Sequence, residues 1–377
     1  MRARFQNADV LGPYGFSQND LLVDGSFITD DIDAPVFDLS GFQILPGIVD
    51  LHGDGFERHL APRRGAVMDM QDGLRATEAE LAAHGITTAV LAQFFSWEGG
   101  MRGPEFGTRL VEAVSRFFGL LDLVVQIRLE MNLTEVYAQV EELIAKHDIR
   151  YLVFNDHLPH EALAKGRKPP RLTGQALKSG RSPEVHHALL IELAGRDVWP
   201  DLQALAERLE AQGVRLGSHD DPTPDSRARF RNLGVNVAEF PETRETAEAA
   251  RSAGDPVLLG APNVIRGGSH KGNVNATQMV ADGLCDALVS DYHYPSLVGA
   301  VRRLVRDGVC DWGQAWKLVS SGPAEVLGLS DRGQLQSECR ADFIVLEPET
   351  GRVCLTVAAG EIAHLSSPVA DRLMQWA

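Results

Sequence analysis

The stretch Pro46-Gly47-Ile48-Val49-Asp50-Leu51-His52-Gly53-Asp54-Gly55-Phe56-Glu57-Arg58-His59 decides how the chain is read. Its apolar run, Ile48, Val49 and Leu51, reads as a buried strand that ends on His52 and Asp54, two residues able to ligate a metal. In a parallel barrel the C-terminal strand ends carry the chemistry. Alone, the pair fits equally well a strand end followed by a glycine-rich turn, so the reading depends on whether other strand ends carry matching side chains.

Working outward, apolar runs at 47–52, 87–92, 123–130, 151–157, 214–219, 235–240, 256–260 and 287–291 alternate with helical patterns such as 182–211, 243–253 and 275–283. Strands separated by helices imply βαβ units and a parallel sheet, and eight of them fit a (β/α)8 TIM barrel over residues 47–330. The C-terminal ends of these runs carry His52 and Asp54, then Glu130, His157, His219 and Asp291. One histidine after an apolar run is ordinarily a satisfied core or surface residue. Six imidazole and carboxylate groups at the same end of five strands make a shell for a divalent metal such as zinc, as one ion or two. Glu130 is the candidate bridge between two ions. Asp291, last in the chain, is the candidate catalytic group that takes the proton of an attacking water and passes it to the leaving group. This order puts His157 and His219 on the fourth and fifth strands.

Both chain ends read differently. Short apolar clusters punctuated by turn residues over 2–41, and strand patterns over 332–357, suggest a small β-sandwich domain built from residues 1–46 and 331–377.

The composition excludes several function classes. A net charge of −16 argues against nucleic-acid binding, which rests on neutralising phosphates with lysine and arginine. No apolar run approaches the ~20 residues of a membrane span, and the opening MRARFQNADV lacks the apolar core of a secretory signal, so a cytoplasmic protein is expected. Cys285, Cys310, Cys339 and Cys354 are scattered, which indicates neither a disulfide framework nor a thiolate zinc site. An anionic small-molecule substrate would therefore need a local basic patch, and there are two candidates. A long loop between 157 and 182 carries Lys165, Arg167, Lys168, Arg171, Lys178 and Arg181 around Pro169-Pro170; a solvated charge run is its plain reading, a lid for a polyphosphate the sharper one. The stretch Gly260-Ala261-Pro262-Asn263-Val264-Ile265-Arg266-Gly267-Gly268-Ser269-His270-Lys271 sets cations beside a glycine pair where backbone N–H groups could meet a phosphate. Arg58, Arg63 and Arg64, after the opening motif, are expected near it.

The whole order, with its closing Gly333-Gln334-Leu335 and Arg340-Ala341-Asp342-Phe343-Ile344-Val345-Leu346, resembles the amidohydrolase superfamily. Within it, His52-Gly53-Asp54, Asn155-Asp156-His157, Ser218-His219-Asp220-Asp221, Ala238-Glu239-Phe240-Pro241 and the Gly260 to His270 stretch resemble the PhnM type, the ribose methylphosphonate triphosphate diphosphatases. That resemblance implies an amidohydrolase-type barrel that cleaves a phosphorylated ribose methylphosphonate to a 5-phosphate and pyrophosphate. It implies a metal shell of His52, Asp54, Glu130, His157, His219 and Asp291, and substrate contacts from Arg58, Arg63, Asn263, Arg266, Ser269, His270, Lys165, Arg167 and Lys168. Asp54 stands where most of the superfamily has a second histidine, and Glu130 replaces the modified lysine bridge. His293 and the Glu57-Arg58-His59 surroundings depart from the type. An amidohydrolase acting on the C–N bond of a small anionic substrate is the alternative, which the basic segments disfavour. A homo-oligomer is compatible with either.

Overall fold

The computed structural model describes residues 1–63, 66–267 and 274–374. The expected strand of the opening stretch is β1 (Ile48–Gly53), buried along its whole length. It is followed by β2 (Ile86–Phe95), β3 (Asp122–Glu130), β4 (Tyr151–Asn155), β5 (Arg215–His219), β6 (Val237–Glu239), β7 (Val257–Gly260) and β8 (Ala287–Val289). The eight make one sheet in chain order. The pairs β1–β2, β3–β4, β5–β6 and β7–β8 are parallel, and a bridge between Gly53 and Asp291 links the first strand to the last, giving a near-closed parallel barrel. All ten residues of β2 are buried, as befits a strand covered on both faces and rich in β-branched residues.

The helices start where the side chains permit. Asp69 caps Met70–Ala83 by accepting from the backbone of Gln71 and Asp72, Ser182 caps Pro183–Ala194, Thr223 forms a capping box with Ser226 at Pro224–Arg231, and Thr243 caps Arg244–Ser252. Two readings of the sequence need correction. The stretch 182–211 is two helices, Pro183–Ala194 and Trp199–Ala211, broken at Gly195. The segment before it is no loop, because His160–Ala164 and Leu172–Lys178 are helical. Leu172, Leu190 and Leu193 pack with Trp97, Leu133 and Leu158 in a buried cluster, and that packing offsets the weakness of such short helices.

The terminal strands form two further sheets, one of four strands drawn from residues 2–38 and one of six in which strands from 343–365 continue strands from 9–46. Their facing side chains, including Phe5, Val23, Ile44, Phe343, Val345 and Leu355, share one core. By compactness the chain parts into two units: residues 1–91, 117–124 and 256–377 in the first, and 92–116 and 125–255 in the second.

Candidate metal centre

In the first unit the ends of β1 and β8 are tied together. Asp291 donates its N–H to the carbonyl of His52 (2.9 Å), and Asp54 donates to the carbonyl of Asp291 (2.8 Å). His52 is sealed from solvent and Asp54 half-buried. Beneath them Asp50, fully buried, accepts from the hydroxyl (2.5 Å) and the N–H (3.0 Å) of Ser290. Burial pushes its carboxyl above the usual range against the pull of these bonds.

The glycines of the motif have a packing reason. A Cβ on Gly53 would lie 2.8 Å from Tyr294 and 3.0 Å from the side chains of Asp50 and Ser290, and one on Gly55 would lie 2.9 Å from Arg58 and 3.1 Å from Tyr294. The buried Tyr294 ring thus lies against the backbone that carries His52 and Asp54. We expect Gly53→Ala to cost about 1–3 kcal/mol of stability through overpacking and to weaken metal binding by displacing His52 and Asp54. Thermal melting with and without chelator separates the two effects.

In the second unit Glu130, the last residue of β3, is fully buried and accepts from the N–H of His157 (3.1 Å) while its other oxygen meets His157 Nδ1 (2.5 Å). β4 ends at Asn155 rather than 157, so His157 is set by this carboxylate and not by the strand. Donor atoms of His157, His219 and Asp220 lie within 4.8 Å of one another. His219 ends β5, with Asp220 Oδ1 at 3.3 Å from Nδ1 and an N–H of Arg128 at 3.0 Å from Nε2. Arg128, buried on β3, also reaches Asn155 Oδ1 (3.3 Å), and its guanidinium stacks 3.9 Å from the Phe94 ring centre.

The turn after His219 is fixed from below. Arg227, fully buried, donates to Ser218 Oγ (2.6 Å), Asp221 (3.1 Å) and the Val237 carbonyl (3.2 Å), with Asp255 at 3.6 Å. Burial raises the Asp221 carboxyl against the opposing charge of Arg227, and burial lowers the Arg227 guanidinium. Backbone strain gathers at the strand ends: Asp220, Phe240 and Asp291 have φ of 58°, 53° and 56°, each directly after or close behind β5, β6 or β8.

Sequence reasoning missed Glu239. It ends β6, is fully buried, pairs in register with His219, and accepts from Tyr151 OH (2.5 Å) and Gln126 Nε2 (2.7 Å). It lies inside the apolar run read over 235–240, so the signal that picked out Glu130, a carboxylate closing such a run, did not mark it. Asp220 is the second donor not singled out.

Arg58 is engaged by Glu80, which also takes His59, and it donates to the Tyr292 carbonyl (3.1 Å). Asn263 and Arg266 lie on a helix directly after β7, Ala261–Arg266, with Arg266 donating to Asn263 Oδ1 (2.8 Å) and lying 6.0 Å from the Tyr292 ring centre. Arg63 bridges to Ala66 through the backbone. Lys165, Arg167 and Lys168 are exposed, Lys165 paired with Glu161. Arg64, Ser269, His270 and Lys271 lie outside the described residues.

The donor chemistry of both units fits a divalent ion, since neutral imidazole and carboxylate together suit zinc, iron or manganese. Among the described residues no helix is long and apolar enough to cross a membrane. No protein-family model matches the chain. Among solved structures, D-hydantoinase from Bacillus sp. AR9 superposes with a TM-score of 0.66 at 13% identity, covering 96% of this chain and 95% of that one. N-acetylglucosamine-6-phosphate deacetylase from Pasteurella multocida does so with a TM-score of 0.65 at 12% identity, covering 96% and 99%. These are likenesses of fold. The alpha-D-ribose 1-methylphosphonate 5-triphosphate diphosphatase of Escherichia coli (strain K12) is similar in sequence, 31% identical over 318 residues that span 82% of this chain and 84% of that one. A likeness of that extent, on a near-closed parallel barrel, shows that the chain belongs to the alpha-D-ribose 1-methylphosphonate 5-triphosphate diphosphatase family.

Proposed function

We propose that the protein hydrolyses alpha-D-ribose 1-methylphosphonate 5-triphosphate to the 5-phosphate and pyrophosphate. The observation that carries this reading is the 31% identity to a diphosphatase of that substrate over 82% of the chain. In this reading residues 47–330 carry the chemistry and the strands of 1–46 and 331–377 form the small partner domain. The strand-end residues His52, Asp54, Glu130, His157, His219 and Asp291 form the metal shell, supported by their place at the C-terminal ends of parallel strands and in the loops directly after them. Zinc, as one ion or two, is the proposed metal, and bound there it would acidify a water and stabilise charge developing on the phosphoryl oxygens.

The chain's own residues do the rest. Asp291 takes the proton of the attacking water as the water oxygen bonds to the α-phosphorus. The bond from that phosphorus to the α–β bridging oxygen breaks, and Asp291 returns the proton to the departing pyrophosphate. Arg58, Arg63, Asn263, Arg266, Ser269 and His270, with Lys165, Arg167 and Lys168, hold the phosphate tail. Arg58 and Lys165 bring less net charge to it, because Glu80 and Glu161 already pair with them. A triphosphate ester does not cross membranes unaided, so the reaction is placed in the cytoplasm.

The test is turnover of the triphosphate ester by the purified holoenzyme, read as pyrophosphate. We expect one pyrophosphate per substrate, loss of turnover on chelation, and recovery with added zinc. Stepwise release of orthophosphate, or turnover indifferent to chelator, would overturn the proposal.

A further inference from the structure

We propose that Glu239 is itself a ligand of the metal centre, an additional carboxylate donor beside His219; this rests on the metal-dependent reading above. Its placement is that of a ligand. It closes β6 as Glu130 closes β3, and its register partner on β5 is His219, so the two side chains leave adjacent strands at one level. Donor atoms of His219 and Glu239 come within 4.8 Å of one another, close enough for one ion to contact both.

The surroundings orient the carboxylate. One oxygen, Oε1, takes both the Tyr151 hydroxyl (2.5 Å) and the Gln126 amide (2.7 Å), and all three side chains are buried. The phenol O–H and the amide N–H both donate, and Oε1 accepts both. Two donors on one oxygen fix the carboxylate plane and direct the group as a whole. This is the support that ligating side chains receive from the residues behind them.

A further carboxylate changes the centre. It offsets one more unit of the ion's charge, which strengthens binding and tempers the ion's pull on the phosphoryl oxygens.

The experiment compares Glu239→Gln with the wild-type chain. Glutamine keeps an oxygen to accept from Tyr151 and Gln126 and removes only the charge. Zinc affinity is measured by competition with a chelator of known strength, and melting is followed on the chelated protein. We expect the zinc dissociation constant to rise roughly 10–100-fold, with the chelated variant melting no lower than chelated wild type. Wild-type affinity and stoichiometry in E239Q would overturn the inference. Should E239Q not fold, anomalous diffraction from crystals of the wild-type holoenzyme decides. A Glu239 oxygen at about 2.0–2.2 Å from zinc supports the assignment, and one beyond about 3 Å ends it. A wild-type protein that binds metal at Glu239 yet releases no pyrophosphate would sink the proposed reaction and leave this inference standing.

Discussion

Asp291→Asn keeps the fold and loses about 10³-fold in kcat, within the range for removing a general acid–base. The fold survives because the position is held by its backbone, through the Asp291 N–H to His52 and the Asp54 N–H to Asp291. The left-handed φ of 56° is one that asparagine tolerates as well as aspartate. What the amide cannot do is take the proton of a water and return it to pyrophosphate. Initial rates and metal content measured on the same preparation separate two roles. Normal metal with lost turnover makes Asp291 the proton carrier; metal lost in parallel makes it chiefly a ligand. Near-normal turnover with metal bound would remove it from the mechanism.

The largest effect on stability is expected from Arg227→Met. Arg227 is the counter-charge of Asp221 and, with Arg231, of Asp255, and both carboxylates are buried. It also satisfies the carbonyls of Val235 and Val237 and the hydroxyl of Ser218. Removing one partner of a buried ion pair costs about 3–5 kcal/mol, because the remaining charge keeps its desolvation penalty. For a chain of this size that lowers the melting temperature by about 4–6 °C. The pH dependence has a definite sign. Burial already raises the Asp221 carboxyl above its ordinary 3.8, and losing Arg227, whose charge opposes that rise, raises it further. The folded variant then binds this proton more tightly than the unfolded chain, so its deficit shrinks as pH falls through the raised pKa and is full above it. Melting curves from neutral pH downward, variant against wild type, check this. A deficit that grows on acidification would contradict it.

The same network shows what the sequence could and could not disclose. The β1 run ending in His52 and Asp54, and the apolar runs ending at Glu130 and His219, are local patterns, and the strands formed within a few residues of where those patterns place them. β6 was harder. Its three residues, Val237–Glu239, are followed by Phe240 and Pro241, so an apolar reading runs on past the carboxylate and hides it inside the strand. Arg128 lies in mid-strand on β3, where a cation reads as a solvated edge; only the stacking on Phe94 and the reach to His219 show its burial. The helices His160–Ala164 and Leu172–Lys178 are too short for periodicity to register between Pro169-Pro170 and the surrounding glycines. The need for glycine at 53 and 55 comes from Tyr294, more than two hundred residues away, and no local pattern carries it.

The central claim is attack of water at the α-phosphorus with pyrophosphate as the leaving group. Phosphorus NMR of a single turnover in ¹⁸O-water tests it most directly. The account predicts one ¹⁸O in the ribose 5-phosphate product and none in pyrophosphate; label in pyrophosphate, or labelled orthophosphate as the first product, would contradict it.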